Sequence, residues 1–263
     1  MKTRHPHDGL IEAVRQEPWY SRFEDAMDQH VGAACDYFAI TSDDITAFLS
    51  LHWFQCVWSA VLEDLMARVY DDGANLIADY LKRRGWKESG RNRIYLRAAQ
   101  RARMSLYEVR AVDPGRTITL VDRLHGGEAV VVRERSASRT LRTGACIAVR
   151  LVRSPDRTII AGALFPFERD DAAVFEEIVR GLRANRIADA KAAAGWRADV
   201  LDTGALARAA ADPAAIDPLV TAFWLAGAVQ GVLDAEPLEL ANTDGDPLSF
   251  VSLHYDLASG VTS

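Results

Sequence analysis

Three arginines four residues apart, Arg93, Arg97 and Arg101, form the clearest chemical pattern in the chain. On a helix that spacing lines the guanidinium groups into one stripe. A row of planar forks at helical pitch suits phosphate oxygens. Trp86 and Tyr95 stand close by in sequence and could stack on bases. A second group, Arg133, Arg135 and Arg139 followed by Arg142, falls on one run of strand-forming residues and the loop after it. A blander account competes with this one. Glu168, Asp170, Asp171, Glu176 and Glu177 lie just downstream and could cover the arginines within the same molecule.

The other candidates for chemistry are weaker. Arg133-Glu134-Arg135-Ser136-Ala137-Ser138-Arg139 could make an anion pocket, but a serine nucleophile there has no nearby base and no Gly-x-Ser-x-Gly elbow. His52 and Cys56 share a helix face, yet nothing supplies two further metal ligands, and Trp53, Phe54 and Trp58 around them point to core. His5 and His7 sit in a charged N-terminal stretch. Asp244-Gly245-Asp246 lacks the closing glutamate of a calcium loop and reads as a hairpin turn. The pairs Asp43-Asp44, Asp71-Asp72 and Asp170-Asp171 all stand at expected helix boundaries, where capping accounts for them. Nucleotide-binding, kinase and zinc-protease motifs are missing. No catalytic residue, metal site or cofactor is expected.

Composition sharpens the arginine signal. The chain has 263 residues and a formal net charge of −6, but the sign is unevenly spread. Between Lys82 and Arg157 there are 19 Lys/Arg and 7 Asp/Glu, a net of +12, which leaves −18 on the flanks. A basic middle inside an acidic whole implies an anionic partner, or docking of the molecule on itself. Three widely spaced cysteines, Cys35, Cys56 and Cys146, fit reduced thiols in a cytoplasm. The start, MKTRHPHDG, is not followed by an apolar stretch, so no secretory signal is expected. The longest apolar run, Leu219 to Val229, is shorter than the roughly 20 residues that span a bilayer.

The elements that must position these arginines are legible in outline. Helices are expected to about Arg84: a short one from Asp8, one over Tyr20 to Phe38, a long one over Ile45 to Tyr70 capped by Thr41 to Asp44, and one over Ala74 to Arg84. The arginine helix follows, from about Arg91 to Arg103, with Ile94, Ala98, Ala99 and Ala102 as its apolar side. Five strand-like runs, 105–110, 117–122, 129–135, 146–152 and 158–164, are punctuated by Asp113-Pro114-Gly115, His125-Gly126-Gly127, Arg142-Thr143-Gly144 and Ser154-Pro155-Asp156. They suggest a small closed or half-closed β-barrel, SH3-like or OB-like, ended by Pro166. Helices after Asp170 and over 203–211 and 216–234 precede a terminal hairpin, Pro237 to Asn242 and Leu248 to Leu257.

The stretch DYLKRRGWKESGRNRIYLRAAQRARMSLYEV, with PGRTITLVDRLHGGE, VRERSASRTL and AGALFPF after it, resembles a group of uncharacterised bacterial proteins. The terminal NTDGDPLSFVSLHYDL is similar to the same group. Together these cover about residues 79–167 and 240–257. Some members carry an attached zinc-binding SEC-C motif. This chain has no closely spaced Cys/His cluster, so the zinc is not carried over. The resemblance implies a bacterial accessory protein and no particular activity.

The expectation is an α+β protein: a helical segment over 1–84, a basic helix plus small barrel over 85–167, and acidic helices with a hairpin over 168–263. It is read as a cytoplasmic, non-enzymatic adaptor whose basic module binds a polyanion, nucleic acid first of all, through Arg93, Arg97, Arg101, Arg133, Arg135, Arg139, Trp86 and Tyr95. A protein partner is expected too. The alternatives are a protein-interaction subunit without nucleic-acid contact and an enzyme of unrecognised type.

Overall fold

Local hydrogen bonds set the helix boundaries. The computed structural model describes residues 8–212 and 215–235; the expected terminal hairpin, His5, His7 and Asp244 to Asp246 lie outside them. Helix α1 (Asp8–Val14) leads to α2 (Trp19–Met27), which continues through a π-helical segment (Asp28–Gly32) into α3 (Ala33–Phe38). Thr41 and Asp44 cap the next start reciprocally: the Thr41 amide and hydroxyl donate to Asp44 Oδ2 at 2.7 and 2.8 Å, and the Asp44 amide donates back to Thr41 Oγ1.

The long helix expected from Ile45 is in fact two, α4 (Asp44–Leu49) and α5 (Leu51–Ala67). Ser50 between them has φ of 92°, outside the helical region. Both pieces pack on the last described helix (Asp217–Leu233), and α5 also packs on α2, the helix over Leu76–Arg84 and the last described strand (Arg157–Phe167), which is why apolar residues surround the combined sequence. Asn75 accepts from the Ala78 amide to open α6 (Leu76–Arg84), and Ser89 accepts from the Asn92 amide to open α7 (Gly90–Ala99). Helix α7 stops short of Arg101. A tight turn, with Arg101 and Ala102 amides bonded to Ala98 and Ala99 carbonyls, carries the chain into the sheet.

All five expected strands form: β1 (Met104–Asp113), β2 (Thr117–Asp122), β3 (Val130–Arg133), β4 (Cys146–Ser154) and β5 (Arg157–Phe167). The order is β3-β2-β1-β4-β5, antiparallel throughout. Breaks in register at Val109/Ala111 and Val149/Leu151 bend the sheet, as bulges do. β3 and β5 consequently approach each other, yet no ladder joins them. The expected barrel is therefore corrected to an open, curled sheet. β3 is the shortest strand: past Arg133 the Glu134 amide still bonds the Arg116 carbonyl, and its carboxylate accepts the Ser136 and Ala137 amides as the chain turns away. Pro166 does not end the sheet; it pairs with Ile147 on edge strand β5, where a missing amide hydrogen is tolerated.

Strand alternation splits the side chains between two cores. The concave face encloses Tyr107, Val109, Ile118, Leu120, Val132 and Leu151. The convex face sends Met104, Leu106, Ala148, Phe165 and Phe167 against the helices. There α8 (Arg169–Arg183), α9 (Ile187–Ala194), α10 (Thr203–Ala211) and α11 (Asp217–Leu233) complete the fold. Phe167, Phe175 and Phe223 meet with ring centroids 5.4–5.8 Å apart. Truncating any one of these rings to alanine costs about 3–5 kcal/mol. No described helix is long and apolar enough to cross a membrane.

Candidate functional site

Helix α7 turns two faces to different surroundings. Leu96 and Ala99 are buried against α5 and α6. Ile94, Arg97, Ala98 and Arg101, at i, i+3, i+4 and i+7, face the mouth of the curled sheet. This corrects the expected apolar side: Ile94 is 51% exposed and lines a groove rather than the core.

That groove, about 850 Å³, runs between α7 with its following turn and the ends of β1, β2 and β4. Ile94, Ala98, Ala102, Tyr107, Leu151 and Pro155 give it an apolar floor, and Arg97, Arg101, Arg103 and Arg153 rim it. None of the four arginines has a carboxylate partner among the described residues.

One end of the groove is polar and tightly ordered. Asp122 Oδ1 accepts from Ser105 Oγ at 2.7 Å and from the Leu124 and His125 amides at 2.9 Å. His125 Nδ1 lies 3.3 Å from both Asp122 oxygens and 3.2 Å from Ser105 Oγ. These contacts fix the imidazole through one nitrogen. Its Nε2 has no partner among the described residues. Arg183 donates to the Leu124 carbonyl, so α8 holds this loop from behind. Burial, helped by the Asp122 charge, pushes the Tyr107 phenol above its ordinary range and keeps it neutral.

The turn before β1 is braced from inside. Arg150, 2% exposed, donates to the Ala102 carbonyl and pairs with Asp217 at the start of α11. Glu63 of α5 stands 3.8 Å from Arg150 Nε and accepts the Ala163 amide of β5 at 2.9 Å. Burial pushes both carboxyls up, Glu63 to about 8. Asp217, in direct contact with the guanidinium, supplies its countercharge. Nearby, burial pushes Asp64 up as well, but the His30 hydrogen bond and the Arg68 charge outweigh it and hold that carboxyl below the usual range.

The expected site residues fall into separate places. Arg97 and Arg101 line the groove, joined by Arg103 and Arg153, which sequence reasoning missed. Arg93 is turned back, its Nη1 3.4 Å from the Gly85 and Glu88 carbonyls. Arg133, Arg135 and Arg139 are exposed at the far end of β1, where Arg133 pairs with Thr117, about 20 Å beyond Tyr107 of the groove at about 3.3 Å per residue. There the Arg139 guanidinium lies against Gly115, whose φ of 78° shapes the β1–β2 turn. Trp86 is 76% exposed beside Lys87, outside the groove. Tyr95 is half-buried and lines a smaller adjoining cavity that shares Ile94 and Pro155.

The remaining candidates have structural roles. Ser138 is buried, accepting the Gly115 amide and donating to the Arg135 carbonyl. His52 Nε2 and Cys56 Sγ are 3.9 Å apart, and no group of three metal-ligating side chains occurs among the described residues. The downstream carboxylates cover little of the basic surface. Glu176 takes Arg123, Asp171 takes Arg197, and Glu177 pairs with Arg180 on its own helix.

The residues that line the groove and its loop lie inside the one stretch that matches a family model, whereas Glu63 and Asp217 of its bracing lie outside it. Residues 64–193 match a family of unknown function (DUF7986). The matched stretch runs from the end of α5 through the whole sheet and into α9. No curated protein and no solved structure matches the chain.

Proposed function

We propose that the chain is a non-enzymatic accessory protein whose basic module binds a polyanion, nucleic acid first of all, in the groove between α7 and the sheet. The observation that carries this reading is the set of four groove arginines without carboxylate partners among the described residues, in a molecule of net charge −6. A positive cleft with low-dielectric walls concentrates the field on an incoming phosphate. The strand order supports a finer reading of the module as OB-like, left open where β3 nears β5, with the helical turn Ala137–Arg139 between β3 and β4.

The test is a titration of a single-stranded oligonucleotide at two salt concentrations. Four phosphate contacts give a log–log slope of about −3, so raising salt from about 50 to 200 mM weakens binding roughly 50-fold. Absence of binding at the lower salt overturns the reading.

A second reading, an adaptor for another protein, draws on a separate cavity of about 490 Å³ along α2 and the π segment. It is apolar at Phe23, Met27 and Val31 and rimmed by Glu24, Asp28 and Asp36. This surface is opposite in sign to the groove and suits a basic, partly apolar protein segment.

A further inference from the structure

The groove is more than phosphate contacts require. A phosphate backbone needs a cationic rim, whereas this rim borders an open groove of about 850 Å³, within the size range of sites that take a small organic molecule. The floor is apolar, and Ile94 is left half exposed on it although Leu96 and Ala99 of the same helix are buried. Such a surface offers nothing to phosphate and something to the flat face of a base. At the polar end, Asp122 and Ser105 hold the His125 ring through Nδ1, leaving Nε2 as a directed hydrogen-bonding atom.

Resting on the polyanion reading above, we infer that the groove takes one unstacked nucleotide of a single strand. Its base lies on the Ile94–Leu151 floor, its flanking phosphates meet the arginine rim, and its polar edge faces His125. A duplex cannot supply this ligand without breaking a stack and a pair, which opposes binding.

Three probes of equal length test the inference by fluorescence anisotropy at low salt: a DNA single strand, the same strand with abasic sites throughout, and the duplex. The abasic strand keeps every phosphate and lacks every base. The base-bearing strand is expected to bind at least about tenfold tighter than the abasic one, since one base contact contributes on the order of that factor. H125A and I94A should each narrow this gap. Equal affinity for the base-bearing and abasic strands, a duplex bound tighter than the single strand, or an undiminished gap in both variants overturns the inference and leaves the polyanion reading standing. If none of the probes binds, both fail.

Discussion

Arg150 carries its charge into an interior where almost no water reaches it, and its partners show what that charge does. Its guanidinium links the Ala102 carbonyl, at the end of the arginine turn, to Asp217 on α11. The groove wall is thereby fixed by a residue that never touches the groove. Removing one member of a buried pair leaves the other uncompensated, so R150A is expected to lose about 3–5 kcal/mol in a denaturant titration. The double variant R150M/D217L, which removes both charges, should regain most of that loss. A double variant as unstable as the single one would show that packing, rather than the pair, is what Arg150 provides. In the sequence Arg150 is one more position of the strand-like run 146–152. Only the distant pairing with α11 reveals its role, and no local spacing encodes that.

Among elements, the junctions matter more than the interiors. Evenly spaced turn residues made all five strands legible, and the positive φ of Gly115, Gly126 and Gly144 accounts for three of those turns. Capping made the start at Thr41 legible too, whereas the Ser89 cap of α7 was not read. Closure of the sheet was not, because it depends on a ladder between β3 and β5, which are far apart in the chain and locally unremarkable. Arg103 and Arg153 were missed for the same reason: they line one groove only because β1 pairs with β4, with Met104 opposite Arg150. Asp122 read only as a strand end and His125 only as a turn residue, since their chemistry depends on Ser105 from another strand.

The junction of α5 with β5 also carries a pH dependence. Glu63, whose carboxyl rises from 4.5 to about 8, keeps its proton across that interval in the folded protein while the unfolded chain gives it up. Its contribution to stability therefore falls as pH rises through the interval and is level above it. Thermal melts of the wild type should show this decline, and E63Q should flatten it. An unchanged slope in E63Q would place the titration elsewhere. Asp64 acts in the opposite sense, contributing at neutral pH and losing its contribution only in strong acid.

For the whole molecule, the charge separation is only partly spent on internal contacts. Glu176 covers Arg123, and Asp217 and Glu63 face Arg150, yet Arg97, Arg101, Arg103 and Arg153 remain without carboxylate partners among the described residues. A second basic group stands at the far end of β1 around Arg133 and Arg139. Net charge alone does not say which group meets the ligand, and charge reversal at each end separates them. The most direct measurement is the affinity of a single-stranded oligonucleotide, at about 50 and 200 mM salt, for the wild type, R97E/R101E and R133E/R139E. Loss of binding and of its salt dependence in R97E/R101E, with R133E/R139E close to wild type, is the predicted result. Binding by R97E/R101E equal to that of the wild type would contradict the account.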